Sequence, residues 1–179
     1  MRTIALTIIM ILALGLLSAE LMPDFRLPDI NGENVELKSL LGKGPVIVDF
    51  WADYCRPCKV AMPYLQELKD KYEDLTVVLI SMDAPKTQAR AQNYLRGKEY
   101  DFISLFDPEK SLSKRLNVSN PPYTLILNPA GEIIYTHNGF EPGTELLYEK
   151  QIREILGLKA ESEDCANDKE HCGDCSAEH

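Results

Sequence analysis

The sequence predicts an α/β protein in which helices flank a mixed β-sheet. Three observations carry this. Short apolar runs rich in β-branched residues alternate with segments whose apolar residues recur at helical spacing. The last two such runs are joined by a four-residue turn instead of a helix, which adds antiparallel pairing to an otherwise alternating pattern. Finally, 179 residues that are 45% apolar and 26% charged suit one soluble domain with appendages, long enough to bury a real core.

Taken in order, Met22 to Leu41 reads as an extended, turn-punctuated lead-in, with Pro23, Pro28 and a hairpin-type Asn31-Gly32 turn. Gly42-Lys43-Gly44-Pro45 ends it, and Val46 to Phe50 is a short buried strand. From Pro57 to Tyr72, Val60, Met62, Leu65, Leu68 and Tyr72 mark a helix. Pro63 is expected to kink this helix without ending it, because the periodicity resumes afterwards. Thr76 to Ser81 (TVVLIS) is the second strand, Lys86 to Lys98 a polar helix closed by Gly97, and Phe102 to Phe106 the third strand. Asp107-Pro108 resembles an N-cap followed by proline and opens a short helix to Leu116. Tyr123 to Leu127 and Glu132 to Thr136 are strands around the Asn128-Pro129-Ala130-Gly131 turn, and Thr144 to Leu156 is the final helix.

The two ends stand apart from this pattern. Arg2 followed by the low-polarity run Ile4 to Leu17 spans roughly 21 Å as a helix, short of a ~30 Å hydrocarbon core. Residues 1–19 therefore read as a signal peptide or N-terminal membrane anchor, and the remainder as an extracytoplasmic protein in which disulfides persist. Within the tail, 158–179, the stretch from Ala160 to His179 holds Glu161, Glu163, Asp164, Asp168, Glu170, Asp174 and Glu178 against Lys169 alone. The formal net charge of −9 excludes the basic surface that a nucleic-acid binder needs, and no such partner is expected.

The chemistry concentrates in VDFWADYCRPCK, Val48 to Lys59. Cys55 and Cys58 could bind a metal, form an inert staple or exchange electrons. A structural zinc site needs a second ligand pair, and within the domain His137 stands alone. A disulfide across two intervening residues closes a tiny loop and stabilises little. The redox reading also explains the surroundings. Cys55 falls where strand turns into helix, so the helix N–H groups and positive dipole end favour its thiolate, and Arg56 adds positive charge. Pro57 sits where a missing N–H costs nothing. Cys58, one turn inward, is placed to resolve a mixed disulfide formed by Cys55.

WADYCRPCK resembles the active-site motif of thioredoxins. PDFRLPDINGENVELKSLLGKGPVIVDFWADYCRPC and PPYTLILNPAG resemble the leading segment and cis-proline loop of the TlpA/ResA-like exported thiol-disulfide oxidoreductases. The similarity covers roughly Met22 to Leu156, within a thioredoxin-like domain at 22–157. It implies a thioredoxin fold with an N-terminal extension and a βα insertion at about Lys86 to Leu116. It also implies a cis-proline at Pro122 facing the cysteines, with Cys55 attacking and Cys58 resolving. Trp51, Tyr54, Arg56, Pro57 and Pro122 are the candidates for partner contact, with Trp51 also expected to pack beneath the active-site loop. No cofactor beyond the Cys55–Cys58 disulfide is expected. The expected partners are cysteine-containing exported proteins and an upstream thiol donor, and the protein itself is expected to be a monomer.

Three departures from the family pattern matter. Tyr54 stands where tryptophan is usual before the first cysteine. Ala61 occupies the place of a proton-handling glutamate, for which Asp49 offers a replacement, since VDFWA is similar to thioredoxins whose buried aspartate serves the second cysteine. An aspartate inside an apolar strand is costly without a partner or a task. Pro121, before the cis-proline, has no N–H to offer a bound peptide.

Other readings remain. Copper-delivery proteins share the fold but carry CxxxC and a distant histidine. Thiol peroxidases need a threonine where Ala52 stands. A redox-inert binding module would have no use for an intact pair. In the tail, Cys165, Cys172 and Cys175 with His171 are candidates for metal capture, for exchange with the Cys55–Cys58 disulfide, or for simple oxidation. Deleting everything after Ala160 is expected to leave folding and insulin reduction largely intact.

Overall fold

The computed structural model describes residues 20–158; the predicted leader and most of the acidic tail lie outside the described residues. Within them, no helix is long and apolar enough to cross a membrane. Seven strands occur among the described residues: β1 (Arg26–Pro28), β2 (Asn34–Glu36), β3 (Val46–Trp51), β4 (Thr76–Ser81), β5 (Ile103–Phe106), β6 (Tyr123–Leu127) and β7 (Ile133–Asn138). Four α-helices accompany them: α1 (Arg56–Lys71), α2 (Gln88–Arg96), α3 (Ser111–Arg115) and α4 (Thr144–Ile155). β1 and β2 form a separate hairpin, and the other five strands form one sheet in the order β5-β4-β3-β6-β7. β3, β4 and β5 run parallel, while β6 and β7 are antiparallel to their neighbours, so the sheet is mixed and the fold is thioredoxin-like.

The hairpin forms because Asp29 Oδ1 accepts from the backbone N–H of Asn31 and of Glu33, both at 2.8 Å, while Gly32 takes the left-handed φ of 88°. β3 is buried along its whole length, and its alternation divides the core in two. Ile47 and Trp51 join the core beneath α1, α2 and α4, with Cys58, Ala61, Met62, Leu65, Ala91, Leu95, Tyr148 and Ile152. Val46, Val48 and Phe50 join the opposite core, with Leu27 from the hairpin, Phe25 just before it and Leu112 from α3. Asp49 therefore lies on the α1 side.

α1 runs unbroken through Pro63, as the resumed periodicity predicts. Several boundaries differ from expectation by a few residues, α2 among them at both ends, and two differences have a clear cause. α3 begins at Ser111, not beside Pro108, because Lys110 adopts a left-handed φ of 55° and stops the helix from extending backwards. Asp107 still caps it from a distance: its carboxylate accepts from the N–H groups of Ser111, Leu112 and Ser113 at 2.8–3.1 Å. β7 runs to Asn138, two residues beyond the predicted Thr136, because pairing with β6 continues to Tyr123↔Asn138. That extension brings His137 opposite Thr124.

Candidate active site

β3 delivers the chain to the N-terminus of α1, and four contacts hold the connecting loop. Met82 N–H donates to the Trp51 carbonyl at 2.8 Å, and Cys55 N–H donates to the Ala52 carbonyl at 2.9 Å. The buried Asp83 carboxylate accepts from Asp53 N–H at 2.8 Å and from the Ser81 hydroxyl at 3.0 Å. Lys59 pairs with Asp53 at 2.8 Å and lies 4.4 Å from the centroid of the Tyr94 ring. Tyr94, on α2, also packs against Trp51 at 5.8 Å, so the predicted insertion braces the loop. Asp83, Lys59 and Tyr94 are supports that the sequence reading did not single out.

Cys55 is the N-cap of α1, Pro57 sits in the first turn, and Cys55 and Cys58 are joined by a disulfide. The Cys58 backbone N–H donates to Cys55 Sγ at 3.2 Å. In the reduced protein the same N–H and the helix dipole favour negative charge on Cys55. The two sulfurs are not equivalent: Cys55 keeps 5% exposure and Cys58 has none.

Around the pair, Tyr54 is 73% exposed, and Arg56 and Pro57 also face solvent. Trp51 is fully buried, which corrects the expectation that it touches a partner: it forms the floor of the loop. The Pro121–Pro122 peptide is cis. Pro122 and Pro57 border a groove of about 450 Å³, lined further by His137, Gly139, Phe140 and Glu141. His137 is half-buried there and stacks on Tyr135 with ring centroids 6.2 Å apart. The Gly139 N–H donates to the Pro122 carbonyl at 2.9 Å and fixes the end of β7 against the cis-proline loop.

Asp49 is buried on β3, on the face that carries Cys58. Its Oδ1 accepts from the Thr124 hydroxyl at 2.7 Å, and its Oδ2 is buried with no hydrogen-bond partner. Burial pushes its carboxyl up to about 7, against the smaller opposing effect of the Thr124 hydrogen bond. An acid so placed exchanges its proton near neutrality. Thr124 is a partner of Asp49 that sequence reasoning missed; the strand pairing Asp49↔Thr124 is the signal, and it needs the β3–β6 register to be seen. No group of three or more His, Cys, Asp or Glu side chains among the described residues is arranged to hold a metal ion. The tail candidates Cys165, His171, Cys172 and Cys175 lie outside the described residues.

Three comparisons agree with this geometry. Residues 19–136 match the AhpC/TSA family. The chain is 30% identical over 133 residues to the thiol-disulfide oxidoreductase ResA of Bacillus thuringiensis subsp. konkukian, spanning 74% of this chain and 75% of that protein. It is 32% identical over 127 residues to the thioredoxin-like protein YneN of Bacillus subtilis, at 70% and 74% coverage. Among solved structures, a provisionally named thiol:disulfide interchange protein DsbE from Chlorobium tepidum superposes with a TM-score of 0.71 at 30% identity. That match covers 80% of this chain and all of the other.

Proposed function

Because this chain belongs to the AhpC/TSA family and is a thiol-disulfide oxidoreductase of the thioredoxin-like fold, we propose that it is exported and reduces disulfides in extracytoplasmic proteins. The observation that carries the mechanism is the asymmetry of the pair, with Cys55 at the helix N-cap and reachable while Cys58 is sealed. In the reduced enzyme the Cys55 thiolate attacks a substrate disulfide, forms a mixed disulfide and expels one substrate thiolate. Cys58 then gives its proton to Asp49, attacks the Cys55 sulfur and expels the second substrate thiolate. Each expelled thiolate takes up a proton, so two enzyme thiols become one disulfide as one substrate disulfide becomes two thiols. An upstream dithiol donor resets the pair, and no other cofactor takes part.

The reducing direction is supported by Asp49, whose exchange near neutrality suits deprotonation of a buried thiol. Export is supported by Arg2 and the apolar run Ile4 to Leu17. Tyr54, Arg56 and Pro57 form the exposed rim that a partner meets, and the groove beside Pro122 takes the chain flanking its cysteine. Pro121 offers no N–H there, so side-chain packing takes a larger share of recognition. The reduction potential of the Cys55–Cys58 couple tests the proposal. A value near ~−270 mV, together with insulin reduction, supports a reductase, whereas one near ~−120 mV makes the protein an oxidant.

A further inference from the structure

Asp49 is not alone in the core. The Tyr148 hydroxyl, on α4, donates to Thr124 Oγ1 at 3.0 Å, and the Thr124 hydroxyl donates to Asp49 Oδ1 at 2.7 Å. Tyr148 and Thr124 are both buried, and the chain joins α4, β6 and β3.

The direction of these bonds follows from counting protons. Thr124 has one hydroxyl proton to give. Among the described residues the Tyr148 hydroxyl has Thr124 as its one hydrogen-bond partner, and burial holds Tyr148 above its ordinary range, so it stays protonated. Tyr148 can satisfy its O–H only by donating to Thr124. Thr124, already accepting, satisfies its own proton on Asp49. Oδ1 is thereby an acceptor whether Asp49 is ionised or neutral, and a proton on the acid goes to Oδ2, the oxygen without a partner.

We propose that Tyr148 and Thr124 are positioning residues for the reaction: their one-way hydroxyl chain fixes Oδ1 and leaves Oδ2 as the oxygen that takes and returns the Cys58 proton. This rests on the reading of Asp49 as the proton carrier. In the resolving step the S–H bond of Cys58 breaks and an O–H bond forms at Oδ2. The freed thiolate makes the Cys55–Cys58 bond, and the Cys55–substrate bond breaks with its electron pair leaving on the substrate sulfur. The proton on Oδ2 then passes to solvent. The titratable groups around the chain are Glu145 on α4, and Tyr135 and His137 on β7, whose rings lie 6.2 and 6.0 Å from that of Tyr148; Cys58, on α1, belongs to the same buried core as Tyr148. β4 presents Leu79 opposite Asp49 and adds no charge.

A chain that merely ties α4 to the sheet would affect stability and nothing else, so the test reads the titration. The Asp49 carboxyl is followed by 13C NMR in the reduced protein, and insulin reduction with dithiothreitol as donor is followed from pH 5 to 9. The Thr124 bond holds Asp49 down, so Thr124→Val is expected to raise the midpoint by about one pH unit and slow turnover at pH 7 about five-fold. Tyr148→Phe is expected to raise it by about half as much, and Thr124→Ser to restore the wild-type midpoint. Should Thr124→Val not fold, Tyr148→Phe carries the same readout. Unmoved midpoints in both variants, while Asp49→Asn still flattens the pH profile, overturn the hydroxyl chain and leave Asp49 in place. An Asp49→Asn profile identical to wild type overturns the parent reading and the chain with it.

Discussion

Along β3, Val46, Val48 and Phe50 enter a core closed by the hairpin and α3, whereas Ile47, Asp49 and Trp51 enter the core beneath α1 and α4. On the first side the strand residues that meet are all apolar, with Val78, Ile80, Leu125 and Leu127 beside those of β3. On the second side Asp49 and Thr124 face each other across the β3–β6 pairing, and both Asp49 Oδ2 and Trp51 Nε1 are buried without a partner. An unsatisfied buried polar atom costs about 1–3 kcal/mol. One sheet thus confines its unfavourable groups to the side that touches the dithiol and stabilises the fold with the other.

The sharpest way to test that division is to remove the sulfurs. Cys58→Ser should leave covalent complexes with partner proteins through Cys55, visible on non-reducing gels, while Cys55→Ser should be inactive and trap few. Equal trapping by both variants would reverse or erase the assigned roles.

Next in size is Asp49→Asn. Disulfide reduction at pH 7 should fall roughly 10- to 100-fold, with the loss flattening the pH profile near neutrality. Stability should move the opposite way. The folded carboxyl titrates at about 7 against an ordinary 3.8, so the folded state keeps a proton that the unfolded chain has lost. This group's contribution is intact below the lower value, falls away between the two, and is wholly lost above the higher one. Urea unfolding at pH 9 should therefore show Asp49→Asn more stable than wild type by about 2–4 kcal/mol, with little difference near pH 3.5. On the apolar side, Leu125→Ala should lose about 2–5 kcal/mol while the pH midpoint of turnover stays fixed. A moved midpoint there would break the division of labour between the faces.

The smallest effect is expected at Ser113, on α3, whose hydroxyl is also buried without a partner. Unlike Asp49 it lies far along the chain from any reacting group, and Ser113→Ala should stabilise by about 1 kcal/mol in thermal melts with activity unchanged. An activity loss would show that this second unpartnered atom is also in use.

The strands and the dithiol were readable because their signals are local. TVVLIS runs over its predicted span, and the strand–helix junction at Cys55 follows from a few neighbouring residues. The start of α3 is not legible locally, because Asp107 looks like an adjacent cap while its carboxylate reaches N–H groups four to six residues on. The end of β7 is hidden in the sequence because His137 and Asn138 carry little strand preference of their own; pairing with β6 extends the strand. The supports of Asp49 could not be read at all. Thr124 lies 75 residues from Asp49, and Tyr148 a further 24 along the chain, where it passes for one more apolar position on an amphipathic helix. Local pattern carries no information about contacts that only the sheet register creates.

The complete burial of Cys58 also governs the traffic through the enzyme. In the proposed mechanism donor and acceptor both join to the same sulfur, Cys55, so they take turns and never occupy the protein together. Turnover then follows double-displacement kinetics, with parallel lines when reciprocal rate is plotted against reciprocal acceptor concentration at several donor concentrations. An excess of either partner in its wrong redox state acts as a competitor for the other.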